Sequence, residues 1–197
     1  MFVELLSRQL QGICHLSVEQ LARLERHYAL LEHWNKVLNL TSIRSREEAV
    51  ERHYCEALFL GAHLPAGTLR IIDVGSGAGF PGTPVAVLRP DCHVTLVESH
   101  QRKAVFLRES TRDLANVVVV AGRAEALTES FDMAISRAVT VEGIGKTLTR
   151  LAPDVMLLAG EDAGVKVAGM RWQPPVPIPW GTRRFLWIGG VSRETRT

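Results

Sequence analysis

The chain has 197 residues, of which 46% are apolar and 22% are charged, a composition typical of a globular protein with a buried core. Three cysteines, at positions 14, 55 and 92, form no CxxC pair, which argues against a disulfide framework or a zinc site and indicates a reducing compartment. The net charge of +2 excludes a generally basic surface, so any nucleic-acid contact must be local. Neither a signal peptide nor an apolar run of transmembrane length is visible, so we expect a cytoplasmic protein without a membrane partner.

Residues 1–65 are expected to form a helical N-terminal region. Ser17-Val-Glu-Gln20 is a capping box, and apolar residues follow it at helical spacing as far as Leu38. Ser45-Arg-Glu-Glu48 is a second capping box, which opens a helix through Leu60. The turn residues Pro65-Ala-Gly67 end this region.

From residue 66 to 197 short apolar runs alternate with helical stretches, which predicts βαβ units and a parallel sheet. The predicted strands are Leu69–Val74, His93–Val97, Val117–Val120, Phe131–Ile135, Val155–Leu158 and Arg184–Ile188. A helix is predicted from Gln101 to Leu114, and the proline-rich stretch Trp172–Trp180 is predicted to be a rigid connector. The sequence therefore predicts a Rossmann-like α/β sheet with helices on both faces and a helical N-terminal extension.

The first predicted strand ends in the motif Asp73-Val-Gly-Ser-Gly-Ala-Gly-Phe-Pro-Gly82. Glycines suit a tight turn whose backbone a ligand approaches closely. The spacing fits a dinucleotide fingerprint, and Glu98 ends the second strand where an acid would bind an adenosine ribose, as in both NAD and S-adenosylmethionine enzymes. Phe80-Pro81 falls where a pyrophosphate would need free N–H groups, and S-adenosylmethionine has no phosphate. The motif thus favours a methyltransferase, with an NAD-linked oxidoreductase as an alternative.

Six motifs in this order resemble the RsmG (GidB) family, which methylates N7 of a guanine in bacterial 16S ribosomal RNA. They are Asn35–Thr41, Arg52-His53, Asp73–Gly82, Arg102–Arg108, Arg123-Ala-Glu125 and Phe131–Ala138. The resemblance runs from about residue 20 to 190. It implies a class I methyltransferase sheet, S-adenosylmethionine as the cofactor, and 16S ribosomal RNA or the small ribosomal subunit as the partner. We expect the protein to be a monomer.

The resemblance also implies roles for individual residues. Cofactor contacts are expected at Gly75, Phe80, Ala124, Glu125 and Arg137, beside Gly77 and Gly79 of the turn, with Glu98 at the ribose. Arg123 and Arg183 match positions that we assign to the RNA and the target base. Phe80 is also considered as a ring that stacks on an extruded base. No metal is expected.

One departure from the family pattern concerns the RNA face. The chain has Leu158-Ala159-Gly160 where the family usually has Leu-Lys-Gly, so a cation is missing there. Separately, a ribosome-associated or RNA-binding protein with a vestigial cofactor site is a further alternative. The intact glycines at 75, 77 and 79 argue against it.

Overall fold

The computed structural model describes residues 1–137, 141–161, 167 and 169–191, and of residues 141–143 the backbone alone. The chain begins with helices α1 (Phe2–Gln9), α2 (Val18–Leu38), α3 (Arg46–Ala49), a π-helical turn (Val50–Cys55) and α4 (Glu56–Ala62). The capping box at Ser17 is confirmed, because its Oγ accepts the Gln20 N–H at 3.2 Å and the Gln20 side chain accepts the Ser17 N–H at 2.8 Å. At Ser45 only half of the box forms, since Glu48 pairs with Arg52 instead.

A single sheet follows the helices. Its strands are β1 (Arg70–Val74), β2 (His93–Glu98), β3 (Val117–Ala121), β4 (Met133–Arg137), β5 (Asp154–Ala159), β6 (Met170–Trp172), β7 (Val176–Pro177) and β8 (Phe185–Val191), and its helices are α5 (Gly82–Leu88), α6 (Gln101–Ser110) and α7 (Val141–Leu151). The strand order is β3-β2-β1-β4-β5-β8-β6, and β7 also pairs with β8. Strands β1 to β5 are parallel, whereas β8 is antiparallel to β5. The predicted Rossmann-like fold class is confirmed.

Helices cover both faces of this sheet, because successive strand residues point to opposite sides. In β5, Met156 and Leu158 belong to one buried cluster, and Val155 and Leu157 belong to the other. The first cluster contains residues of α1, α2, α4, α5 and α6, and the second contains residues of α7. Among the described residues no helix has the length and apolar character needed to cross a membrane.

Some predicted boundaries are wrong. Helix α6 ends at Ser110 rather than Leu114, where the Thr111 hydroxyl donates to the Leu107 carbonyl at 2.7 Å. Strand β4 begins at Met133, because the Phe131 N–H donates to the end of α7 at Leu151. The stretch Trp172–Trp180 is more than a connector, since it contains the end of β6 and the whole of β7, which pair with β8.

The expected division at about residue 65 stays a prediction. The helices end at Ala62 and the first strand begins at Arg70, so the change of secondary structure falls between these residues. One buried cluster nevertheless contains side chains from both sides of this point, such as Leu24 of α2 and Ile71 of β1.

Candidate active site

The glycine turn lies at the carboxyl end of β1, where ligands of parallel α/β sheets bind. Gly75, Gly77 and Gly79 have positive φ angles of 75°, 57° and 88°. Residues with a Cβ adopt such angles only with strain. The N–H groups of Gly75 and Ser76 both donate to the Val97 carbonyl at 3.0 Å. The turn is thereby fixed against the end of β2.

These glycines have different surroundings. A Cβ on Gly77 would meet only the Gly75 carbonyl oxygen, at 3.9 Å, so the backbone here is open to a ligand. A Cβ on Gly79 would lie 2.5 Å from Thr83 Oγ1 and 3.2 Å from His27 Nε2. Gly79 is therefore required for close packing of the turn on α5 and α2, while the open side of the turn is at Gly77 and the exposed Gly75.

Asp73, the penultimate residue of β1, connects the strand to the far end of the turn. Its carboxylate is buried, and one oxygen accepts the N–H of Gly82, the first residue of α5, at 2.9 Å. Burial raises the pKa of Asp73 to about 7, although the Gly82 hydrogen bond acts in the opposite direction. The other carboxylate oxygen has no partner among the described residues.

Glu98, the last residue of β2, lies beside the open part of the turn. Its Oε2 accepts the Gly77 N–H at 2.9 Å, and its Oε1 accepts the His100 N–H at 2.7 Å. A carboxylate oxygen can accept more than one hydrogen bond, so both oxygens keep capacity for ribose hydroxyls. The position fits the expected ribose contact, which stays a prediction.

Arg123, Ala124 and Glu125 follow β3 at the same edge of the sheet. Arg123 precedes a single 3₁₀ turn, Ala124–Ala126, in which Ala124 is buried while Arg123 and Glu125 are exposed. Arg150 of α7 holds this turn, because its guanidinium donates to the carbonyls of Ala124 and Glu125 at 3.1 and 3.2 Å. No pattern in the sequence singles out Arg150.

Arg137 ends β4 and points toward the N-terminal helices. Its Nη1 donates to the Arg52 carbonyl at 2.6 Å, and its guanidinium carbon lies 5.1 Å from the centre of the Phe80 ring, a cation–π contact. Burial lowers the pKa of Arg137 to about 10, which leaves the side chain charged at neutral pH. The family motif that includes Arg137 ends at Ala138, which lies outside the described residues.

The expectation that the Phe80 ring stacks on an extruded base is wrong for this structure. Only 2% of Phe80 is exposed, and its ring is stacked on His53 with 4.6 Å between the centroids. Tyr54 and His27 pack edge-on against the same ring. Phe80 is a core residue that supports Arg137, so any cofactor contact at this position would come from the backbone.

Arg183 lies at the far side of the same edge, because β8 runs antiparallel to β5 and its start pairs with the end of β5. The residue has a φ of 58°, and its side chain is 80% exposed and 3.4 Å from Glu161. The next residue, Arg184, forms two hydrogen bonds of 2.6 Å with the fully buried carboxylate of Glu56 on α4. Glu56 was not predicted from the sequence, although a charge immediately before the apolar run of residues 57–61 was a signal of a buried partner.

The site therefore brings together the glycine turn, Glu98, the 3₁₀ turn after Arg123, and Arg137 at the carboxyl ends of β1 to β4. Arg123 and Arg183 lie apart, because β3 and β8 are separated by four strands in the sheet order. Five interstrand spacings amount to about 24 Å. One base cannot contact both arginines across that distance.

Comparison with solved structures shows which class of protein has this fold. A S-adenosylmethionine-dependent methyltransferase from Aquifex aeolicus superimposes with a TM-score of 0.61 at 16% identity, over 74% of this chain and 93% of that one. The magnesium protoporphyrin IX methyltransferase of Synechocystis superimposes with a TM-score of 0.62 at 11% identity, over 85% and 97% of the two chains. The chain thus has the Rossmann-like methyltransferase fold.

Sequence comparison identifies the family. The GidB family model, described as rRNA small subunit methyltransferase G, matches residues 20–158, and the chain belongs to this family. The ribosomal RNA small subunit methyltransferase G of Xanthomonas euvesicatoria is 45% identical over 88% of this chain and 82% of its own length. The protein of the same name from Chromobacterium violaceum is 44% identical over 65% of each chain, so less than two thirds of that relative is matched.

Proposed function

We propose that this protein transfers a methyl group from S-adenosylmethionine to N7 of a guanine in the RNA of the small ribosomal subunit. The observation that carries the proposal is the open glycine turn facing the Glu98 carboxylate, in a chain that belongs to the GidB family. A backbone without a Cβ and an acid at the end of the second strand are the features that an adenosine ribose requires.

The residues present fit the cofactor. Glu98 would accept hydrogen bonds from the ribose hydroxyls, and the turn at Ala124 and Glu125 would contact the adenine. Arg137, a charged and half-buried guanidinium, would bind the carboxylate of the methionine part. Gly75 and Gly77 would let the ligand approach the backbone. When bound, S-adenosylmethionine supplies a methyl group on a positively charged sulfur, which is already activated for transfer.

The chemistry requires little of the protein beyond orientation. Guanine N7 carries a free lone pair at neutral pH, so no general base is needed to make it a nucleophile. Asp73 is committed to the turn through Gly82, which agrees with an organising role. The enzyme's contribution is then to hold the base in line with the reacting carbon. Exposed arginines would hold phosphates or the O6 edge of the guanine.

The cofactor is tested by calorimetry on the purified protein. We expect S-adenosylhomocysteine to bind with micromolar affinity and NAD at least tenfold more weakly, a difference of about 1.4 kcal/mol. If NAD bound as tightly as S-adenosylhomocysteine or more tightly, the proposed methyltransferase activity would be contradicted and an oxidoreductase favoured. RNA binding that is tight and indifferent to either ligand would favour a vestigial cofactor site.

The product is tested by mass mapping of 16S ribosomal RNA from cells with and without the gene. We expect one methyl group to be lost from the N7 of one guanine in the deletion strain. The purified protein should restore it on naked RNA or on small subunits prepared from that strain. A methyl group lost from any other atom would overturn the assigned specificity while leaving the cofactor result intact.

A further inference from the structure

Asn35 and Thr41 form a closed pair of hydrogen bonds at the end of α2. The Asn35 side chain donates to the Thr41 carbonyl at 3.0 Å and accepts the Thr41 N–H at 2.9 Å. Asn39 between them has a φ of 47° and ends the helix in the left-handed conformation. The buried Asn35 amide therefore fixes where the Thr41 side chain lies.

The Thr41 hydroxyl continues the connection to the π-helical turn. Thr41 Oγ1 lies 2.8 Å from Nε2 of His53, a residue that is 5% exposed. Burial and the neighbouring arginines lower the pKa of His53 to about 2, so the imidazole is neutral. Its ring lies nearly parallel to that of Phe80, with an angle of 13°. The hydroxyl thus sets the rotation of a ring that packs flat on Phe80.

Arg137 completes the connection. Its guanidinium lies over the Phe80 ring and donates to the carbonyl of Arg52, the residue before His53. Arg52 and His53 are consecutive in the π-helical turn, a rare geometry that is frequent at functional sites. The turn therefore contacts Arg137 directly, through the Arg52 carbonyl, and indirectly, through the His53 imidazole that packs on the Phe80 ring.

We propose that Thr41 and His53 are positioning residues that hold Arg137 in the orientation required for cofactor binding. The inference rests on the proposed function, in which Arg137 contacts the cofactor. A long arginine side chain has many rotamers, and a ligand binds more tightly when that side chain is already held in the bound orientation. The N-terminal helices then contribute to the cofactor site without touching the cofactor.

The test is Thr41→Val, which keeps the shape of the side chain and removes the hydroxyl. We expect the dissociation constant for S-adenosylhomocysteine to rise threefold to tenfold and the KM for the cofactor to rise with it, while kcat at saturating cofactor changes less than twofold. Thr41→Ser should restore the affinity. His53→Phe, which keeps a flat ring but has no nitrogen, should also raise the dissociation constant threefold to tenfold, although it keeps the hydrogen bond of 3.1 Å that Thr41 Oγ1 accepts from the Ile43 N–H.

Thr111→Val is the matched control. Thr111 is buried and Thr41 is half-buried, and the Thr111 hydroxyl donates to the Leu107 carbonyl on α6, away from Arg137. This variant should lose stability but keep the wild-type affinity for S-adenosylhomocysteine. If Thr111→Val weakens binding as much as Thr41→Val does, the effect is one of general stability and the positioning role is wrong.

Arg137→Ala distinguishes the positioning role of Thr41 and His53 from the proposed cofactor contact of Arg137. In its background, Thr41→Val should have no further effect on affinity, because the group that it positions is gone. Full and independent effects of the two changes would overturn the positioning role. Arg137→Ala with unchanged affinity would instead overturn the cofactor contact of the proposed function. Wild-type affinity in both Thr41→Val and His53→Phe, with Arg137→Ala impaired, would overturn the further inference alone.

Discussion

Gly77 and Gly79 stand two residues apart in one turn, and both have a positive φ. Beyond this shared backbone requirement, Gly79 is fixed by its neighbours, because a Cβ there would clash with Thr83. Among the described residues, a Cβ on Gly77 would meet only the Gly75 carbonyl oxygen, at 3.9 Å. The glycine pattern of the sequence predicts the turn but not this difference. The two glycines differ only in how closely α5 and α2 pack against them, which a local sequence pattern does not report.

We expect Gly77→Ala to weaken S-adenosylhomocysteine binding at least tenfold, about 1.4 kcal/mol. The added methyl group would occupy the open side of the turn, and the positive φ should lower the free energy of unfolding by about 1 kcal/mol as well. Gly12→Ala is the control, because Gly12 has a φ of 79° and an equally empty neighbourhood outside the site. Denaturation and calorimetry on both variants separate strain from contact. Equal affinities in the two variants would mean that the ligand does not approach Gly77.

The polar residues of the site were predictable to different degrees. Asp73 and Glu98 follow from spacing, because each lies within one residue of the end of a strand recognisable in the sequence. Glu56 and Arg150 do not, since their partners are far away in the chain: 128 residues separate Glu56 from Arg184, and 26 separate Arg150 from Ala124. Such pairs are decided by how distant elements pack, which local patterns do not report.

At the scale of the element, the helix predicted after Ser45 forms, but six of its residues wind as a π-helical turn. The apolar spacing of the sequence is compatible with hydrogen bonds to the fourth or the fifth residue over so short a stretch, so it predicts the helix and not its winding. The sequence also does not predict whether β8 runs parallel or antiparallel to its neighbour, because an apolar run is the same in both directions. Its antiparallel pairing places Arg183 and Arg184 at the carboxyl edge of β5.

The ion pair between Glu56 and Arg184 should be the main polar link between α4 and the residue that precedes β8. Arg184→Met leaves a fully buried carboxylate without its partner, so we expect it to lower the free energy of unfolding by about 3 to 5 kcal/mol. Glu56→Gln combined with Arg184→Met should recover much of this loss, because no buried charge remains. Urea denaturation measures both.

Arg26→Met is the control for that comparison. Arg26 pairs with Asp113 at 3.8 Å, and both side chains are more than half exposed, so the loss should stay below about 1 kcal/mol. A similar small loss in Arg184→Met would show that water reaches Glu56 and that the link is not a buried one.

Over the whole molecule, a net charge of +2 leaves RNA recognition to a few cations in selected places. Arg123 and Arg183 are exposed at opposite ends of the edge that carries the proposed cofactor site. Arg183 lies beside Gly160, whose added Cβ would be 4.0 Å from the Arg183 carbonyl. Its backbone thus lies near Ala159, where the family usually has a lysine, and its exposed guanidinium is 3.4 Å from Glu161. Two cations about 24 Å apart fit separate phosphates of a folded RNA better than one base.

This separation predicts independent effects of Arg123→Ala and Arg183→Ala. Each change should weaken RNA binding and methylation, leave the affinity for S-adenosylmethionine within about threefold, or 0.7 kcal/mol, and reduce the salt slope of RNA binding by roughly one unit. The double variant should lose roughly two units, because distant sites act additively. Since their role would be electrostatic, neither change should shift the pH profile of methylation.

Arg70→Ala is the control, since this exposed arginine begins β1 and so lies at the opposite edge of the sheet. It should leave the salt slope of the wild type unchanged. If Arg123→Ala or Arg183→Ala instead abolishes cofactor binding and keeps the full salt slope, that arginine belongs to the cofactor site. A double variant whose salt slope falls no more than that of either single variant would contradict the independent effects. It would mean that both arginines contact the same phosphate, which their separation in the strand order β3-β2-β1-β4-β5-β8 does not allow in this conformation.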